Sequence, residues 1–246
     1  LDNIVAVVDC ARMYDEFDGG RALLGSNVSE DDIESLLIQQ IEFCSTLVLN
    51  KVDLVTPEQL QELRALVRGL QRDAVIVEAA HGDVSIAELV DTGRFDFDRA
   101  YRSAAWMDAM EHPEEHEDPE TLEYGISTFV YHRRRPFDAS AFDDFVHSWP
   151  CSVIRAKGTV WIRQDPDMDY VFEQAGRQVR LYENGLFSDS FPEEEKRRLL
   201  AEQPELLRDW DPVCGDRRIR LCFIGRDMDR TAIETGLDAC LREWKR

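Results

Sequence analysis

The pattern of hydrophobic and polar positions divides the chain into two halves. From Ile4 to about Val90, apolar runs alternate with amphipathic stretches at helical spacing. The run IVAVVD is uninterrupted, which is typical of a strand covered on both faces, and TLVLN and AVIVE follow as further strands. Strands that alternate with helices predict a parallel sheet with helices packed on its faces.

Two helix starts in this half carry capping signals. Ser29 begins the string SEDD, so its hydroxyl can cap a helix, and the side chain of Asp32, three residues later, can complete a capping box. Thr56 precedes Pro57, whose missing N–H costs nothing in the first helical turn. We therefore predict one helix after Ser29, a second after Thr56, and a short helix around residues 86–90.

The pattern lapses over residues 101–123, where MEHPEEHEDPE carries two prolines and many acids, and we predict an acidic linker. Afterwards come a strand, a helix, a strand and the hairpin signal YVFEQAGRQVRLY, then a charged helix, the strand RIRLCFIG and a helix from Met228 to Trp244. The predicted fold class is α/β: a partial parallel-sheet domain at 1–100, followed at 124–246 by an α+β domain of ferredoxin-like kind.

Net charge, apolar runs and cysteine content limit the kinds of molecule that the chain can be expected to bind. The formal net charge of −21 argues against nucleic acid and against an anionic membrane surface, since both reward clustered Lys and Arg. No apolar run approaches the roughly 18 residues of a membrane-spanning helix. The six cysteines form no C-x-x-C pair and mostly sit in apolar company, so we expect small hydrophobic thiols in a reducing cytoplasm.

The stretch LVLNKVDLV places polar chemistry at the end of a buried-looking strand. Ligands of open parallel sheets bind beyond the carboxyl ends of the strands. There, an ionised Asp53 can accept two hydrogen bonds from guanine, Asn50 can reach the imidazole side of the base and brace the loop, and the Lys51 stem can lie over the base plane. The alternative is a polar turn in which Asp53 caps the following helix.

The end of the next strand supplies a second piece of the predicted site. Small residues in Ala79-Ala80-His81-Gly82 allow backbone N–H groups to approach a base, where one could donate to the guanine oxygen. No G-x-x-x-x-G-K-S/T string occurs in the sequence, so nothing in it cradles phosphates with a lysine. With the start at Leu1, so close to a strand, we expect the phosphate-binding half to lie upstream; the alternative is a degenerate domain.

Several strings resemble the CobW family of metal-linked P-loop GTPases. They include LDNIVAVVDC, QQIEFCSTLVLNKVDLV, GISTFVYHRRRPFDASAFDDFV, WPCSVIRAKGTVWI and WDPVCGDRRIRLCFIG, and the similarity covers nearly the whole chain. Members are cytoplasmic proteins thought to deliver zinc, cobalt or related metals to client proteins, with GTP binding and hydrolysis gating the transfer. The resemblance thus implies a GTP-binding metallochaperone that uses GTP or GDP with Mg, and zinc or cobalt as the metal.

Carried over to this chain, the resemblance assigns a base site and no catalytic residue. Asn50, Lys51 and Asp53 match the guanine-specificity motif, and Ala80 to Gly82, with His81 between them, match the second base-contacting loop. The family's phosphate loop and its Cys-x-Cys-Cys metal motif have no counterpart in this sequence. We therefore expect that this polypeptide does not hydrolyse GTP unaided.

The candidate metal-binding residues each have a simpler structural explanation. His112 and His116 are four residues apart and could chelate zinc on a helix, although Pro113 disfavours a regular helix and a solvated acidic linker explains the stretch as well. Asp9 could face the magnesium of a nucleotide or cap a turn. Two rival functions remain: an interaction module that docks a client or a second copy and keeps a vestigial guanine loop, and a metal buffer built on the histidine linker.

Overall fold

The N-terminal part contains a three-stranded parallel sheet whose strands lie side by side in chain order. The computed structural model describes residues 1–15, 33–96, 109–110, 124–176 and 178–244. The elements of this part are β1 Val5–Asp9, α1 Cys10–Asp15, α2 Ile33–Glu42, β2 Thr46–Asn50, α3 Pro57–Leu70 and β3 Val75–Ala79. The predicted parallel sheet is confirmed, and a 3₁₀ turn at Ile86–Glu88 stands where the short helix was expected.

Helix α3 begins as its sequence predicts. The Thr56 hydroxyl accepts a hydrogen bond from the Gln59 N–H at 3.3 Å, and the Gln59 side chain accepts one from the Thr56 N–H at 2.8 Å. Two N–H groups that would lack partners at the helix start are thereby satisfied, and Pro57 needs none. The helix after Ser29 is described only from Ile33 onward, so its predicted cap lies outside the described residues.

Strand β1 departs from its prediction. Ala6 and Val8 are buried, but Val5 is 38% exposed and Val7 is 57% exposed. The inference that IVAVVD is covered on both faces is therefore wrong, because the described helices cover only one face of this strand. Strand β2, by contrast, is buried from Thr46 to Leu49.

The C-terminal part contains an antiparallel sheet of five strands, in which the last strand in sequence lies between the first and the second. Its elements are β4 Ile126–Arg133, α4 Ala139–His147, β5 Val153–Ile162, β6 Asp165–Ala175, β7 Gln178–Leu186, α5 Glu193–Glu202, β8 Ile219–Arg226 and α6 Arg230–Cys240. Because β8 is antiparallel to both β4 and β5, those two strands run parallel and form a split β-α-β unit around it. The predicted hairpin and the α+β class are confirmed.

The last helix ends earlier than its apolar spacing predicts. Helix α6 stops at Cys240, and Leu241 adopts an extended backbone that bridges to Phe137. The Arg242 N–H then donates to the Pro136 carbonyl at 2.9 Å. Residues after Cys240 thus find backbone partners beside the sheet, which ends the helix before Trp244.

The antiparallel sheet is packed on both faces. One face meets α4 and α6 around an aromatic core in which Trp161, Phe137 and Phe223 are fully buried. The other face packs against helices of the N-terminal part in a continuous core, in which Ile154, Cys222 and Ile224 join Ile38, Ile41 and Leu63. The predicted division at 1–100, 101–123 and 124–246 stays a prediction, and the two parts share this core.

Close approach and charge define the contact between the two parts. A Cβ on Gly69 of α3 would lie 2.5 Å from Cγ2 of Ile126 on β4, so glycine allows these elements to touch. Glu42 and Arg155 form a fully buried ion pair across the contact, 2.6 Å from Oε1 to Nε. Within the described residues, no helix is both long and apolar enough to cross a bilayer.

Candidate guanine site and relation to known proteins

The predicted site residues lie at the carboxyl edge of the parallel sheet. In the strand register Asp9 stands beside Asn50, and Asn50 stands beside Ala79, so the last residues of β1, β2 and β3 form one row. The chain leaves β2 and β3 through the two predicted base loops. The structure therefore brings the Asn50–Asp53 segment next to the Ala80–Gly82 segment, at the edge where parallel sheets bind ligands.

The first loop has a tightly specified backbone. Lys51 adopts a left-handed conformation, φ 61° and ψ 36°, and a 3₁₀ turn from Val52 to Leu54 follows. A non-glycine residue at positive φ costs free energy, so the surrounding structure must hold it there. Val52 and Val55 supply that hold by packing on the core. The Asp53 side chain between them is 36% exposed and reaches solvent at the strand edge.

A hydrogen bond joins the two loops. The Gly82 N–H donates to Oδ1 of Asn50 at 3.0 Å. His81 and Gly82 both have positive φ, 55° and 71°, and Ala80 accepts a hydrogen bond from the Asp83 N–H at 3.0 Å. The side-chain oxygen of Asn50 is thus bonded to the second loop, and its side-chain N–H₂ group can donate to other partners.

The charges at this edge are arranged around two carboxylates. Lys51 Nζ lies 2.6 Å from Oδ2 of Asp9, and the Arg12 N–H donates to Oδ1 of Asp9 at 3.0 Å. Burial alone would raise the pKa of Asp9, but these two donors outweigh it and hold the pKa below its usual range. His81 Nε2 is 3.8 Å from Oδ2 of Asp53 and its side chain is 89% exposed.

Two family models match this chain. Residues 1–78 match the CobW/HypB/UreG nucleotide-binding domain, and residues 126–241 match the C-terminal domain of the cobalamin synthesis protein CobW. The chain belongs to the CobW family. The base loop and the strand edge described above lie within or directly after the first match.

A curated relative and two solved structures are similar to this CobW-family chain. The chain is 31% identical over 251 residues to zinc-regulated GTPase metalloprotein activator 1 of Dictyostelium discoideum, covering 98% of the chain and 52% of the relative. It therefore spans about half the length of that relative. The zinc-bound YjiA GTPase of E. coli shares 16% identity with a TM-score of 0.42, over 98% of this chain and 62% of that one. A zinc-bound triple mutant of YjiA also has 16% identity, with the same coverage and a TM-score of 0.41.

The predicted metal ligands cannot be placed beside the guanine site, because they fall outside the described part of the chain. His112 and His116 lie outside the described residues. Elsewhere, no group of three or more His, Cys, Asp or Glu side chains in the described segments is arranged to hold a metal ion. The hydrogen bond from the Arg12 N–H to Oδ1 of Asp9 at the start of α1 is the turn cap that the sequence offered as one alternative for this carboxylate.

The cysteines behave as the sequence predicts. None of the six forms a disulfide, and only Cys151 is exposed. Burial raises the pKa of Cys10 and of Cys44 to about 11, which keeps both as thiols at neutral pH.

The sequence reasoning missed the partnership of Asp9 with Lys51. Asp9 was recognised as a strand-end carboxylate, but its partner is 42 positions away and is defined by the register of two strands. A signal did exist, because both IVAVVD and TLVLN end in a polar residue and parallel neighbours end at the same edge of the sheet.

Proposed function

We propose that this chain recognises the base of a guanine nucleotide within the GTP-gated delivery of a metal, with zinc as the first candidate, to client proteins. The hydrogen bond between Asn50 and Gly82 carries the proposal, because it fixes two loops from neighbouring strand ends beside the accessible carboxylate of Asp53. The name of the Dictyostelium relative, a zinc-regulated GTPase metalloprotein activator, supports the wider role. Cobalt, and magnesium bound with the nucleotide, rest on the family resemblance alone.

The residues divide the recognition of guanine among them. An ionised Asp53 accepts from the ring N–H and the exocyclic amine of guanine, two donors that adenine does not present together. The Lys51 stem lies against the base plane, and the loop at Ala80 and His81 offers backbone N–H groups to the guanine oxygen. Adenine would leave the carboxylate without its hydrogen bonds, and sites of this kind discriminate by about 10⁴-fold or more.

The proposal is tested by titrating the chain separately with GDP and with ADP. Because the sequence holds no phosphate-binding lysine loop, we expect weak binding, so the titration is followed by NMR at the Gly82 amide. GDP should shift this resonance at concentrations where ADP does not. Equal responses to GDP and ADP, or none to either, would contradict the guanine assignment and favour an interaction module with a vestigial loop.

Asp53→Asn tests directly whether the Asp53 carboxylate recognises the base. The neutral amide replaces one acceptor oxygen with a donor, so the preference for GDP over ADP should fall by about tenfold or more, and xanthine nucleotides should gain. Asp73→Asn makes the same chemical change at the opposite end of the sheet, before β3, and should leave the preference unchanged. A preference that survives in Asp53→Asn would show that another group reads the base.

The metal-buffer alternative remains a prediction about the linker. Zinc titration of the chain and of a His112→Ala, His116→Ala variant would separate the alternatives, because only a buffer built on these histidines predicts that binding weakens in the variant. A site of two histidines predicts weak, exchangeable binding.

A further inference from the structure

Asp9, the last residue of β1, contacts both the loop after β2 and the first turn of α1. Its Oδ2 lies 2.6 Å from Nζ of Lys51, and its Oδ1 accepts from the N–H of Arg12 in the first turn of α1. We propose that Asp9 is a positioning residue of the guanine site: it holds the Lys51 ammonium against β1, so that the methylene stem of Lys51 crosses the strand edge where the base lies. This inference rests on the proposed function and assigns Asp9 a role within it.

An ion pair at the ammonium group restrains a side chain that is otherwise flexible. The side chain is a flexible four-carbon stem with a strongly hydrated head, and an unanchored lysine samples many rotamers. Here the side chain is 46% exposed, so packing alone does not fix it. An ion pair at the far end of the stem reduces the number of rotamers and so lowers the entropy lost when a base stacks on the stem.

The strand register makes the tether possible. Asp9 is directly beside Asn50, so Lys51 is the first residue beyond the paired row. The left-handed backbone of Lys51, φ 61°, turns the chain at this point. The ion pair therefore spans the gap between β1 and β2, while Asp53 and the second loop lie on the β3 side.

The carboxylate of Asp9 is itself fixed. The Arg12 N–H holds Oδ1 at 3.0 Å, which leaves Oδ2 directed to Lys51. The same two donors outweigh burial and keep the pKa of Asp9 below its usual range, so the group is charged at neutral pH. Asp9 thus acts through Lys51 and does not need to touch the nucleotide.

Asp9→Asn tests the role with little change in shape. The amide keeps an oxygen that can accept from the Arg12 N–H and loses the charge that attracts Lys51. In the GDP titration followed at the Gly82 amide, we expect binding to weaken about three- to fivefold, the range of a partly exposed ion pair. The ratio of GDP to ADP affinity should not change, because Asp53 reads the base. Asp9→Glu, which keeps the charge, should recover part of the loss.

A double-mutant cycle separates positioning from a structural role. Lys51→Met keeps an apolar stem and removes the ammonium, so Asp9→Asn should have no further effect on GDP binding in the Lys51→Met background. Additive losses would overturn the proposal and indicate that Asp9 acts through α1. So would unaltered GDP binding by Asp9→Asn alone.

Failure of this proposal is distinguishable from failure of the proposed function. Additive effects in the cycle, with Asp53→Asn still losing its preference for GDP, would overturn only the role of Asp9. Equal binding of GDP and ADP by the unmodified chain would overturn the guanine site, and the positioning role with it.

Discussion

Two ion pairs in this molecule have similar distances and opposite surroundings. Lys51 and Asp9 approach to 2.6 Å at the edge of the parallel sheet, where their side chains are 46% and 30% exposed. Arg155 and Glu42 also approach to 2.6 Å, but at the contact between the two parts, where they are 3% and 0% exposed. Distance alone therefore does not say what an ion pair contributes.

The difference lies in what each pair gave up on leaving water. The exposed pair keeps much of its hydration, so it contributes little to stability. The buried pair has lost its water, and burial raises the pKa of Glu42 in spite of Arg155 beside it. Among the described residues, Oε2 of Glu42 has no hydrogen-bond partner. We therefore expect the buried pair to influence how the two parts meet, and the exposed pair to act locally at the strand edge.

The largest expected effect comes from removing half of the buried pair. Arg155→Met leaves the Glu42 carboxylate buried beside Cys222 without its main partner, so the free energy of unfolding should fall by about 3–5 kcal/mol. Urea unfolding measures the loss. The double variant Arg155→Met, Glu42→Gln is the matched control and should lose less, because no unpaired charge remains. Equal losses in both variants would mean that packing, not charge, dominates the contact.

A smaller effect is expected from a hydrogen bond within the N-terminal part whose acceptor also pairs with the C-terminal part. The Tyr14 hydroxyl donates to Oε2 of Glu62 at 2.5 Å, and Glu62 also pairs with Arg226 at the end of β8. Tyr14→Phe should lower the free energy of unfolding by about 1 kcal/mol, because the hydroxyl is removed and the ring is kept. Urea unfolding again provides the measurement.

The control for this variant is Tyr170→Phe. That hydroxyl donates to Asp165 at 2.9 Å within β6, inside the C-terminal part. Neither variant should change the preference of the chain for GDP over ADP. If Tyr14→Phe does change it, the contact between the parts influences the base site and the two regions are not independent.

The sequence predicted those features that depend on neighbours along the chain. The helix cap at Thr56, the hairpin at Ala175-Gly176 and the polar ends of two strands are each signalled by a few neighbouring residues, and the structure contains each of them. The placement of Asn50 beside the second loop also followed, because parallel strands end at one edge.

Features that depend on contacts between distant residues were not predictable in the same way. Glu42 and Arg155 stand in the ordinary strings QQIEFC and SVIRAK, 113 positions apart, and nothing local distinguishes them from surface charges. The exposed face of β1 has the same origin, since an apolar run does not specify which element covers it. Burial and pairing of this kind are decided by how whole elements pack.

The smallest expected effect is the contribution of Asp9 to stability against acid. The folded pKa of Asp9 lies below its usual range, so its stabilising contribution is present above the unfolded value, about 3.9, and is lost as the pH falls through the folded value. Asp9→Asn should therefore lower the free energy of unfolding by less than about 1 kcal/mol near neutral pH, and the difference from the unmodified chain should shrink on acidification. Urea unfolding at about pH 6 and about pH 3.5 measures it, with Asp73→Asn as control. A difference that stays constant across this range would mean that Asp9 stabilises the strand end through its hydrogen bond to α1 and not through its charge.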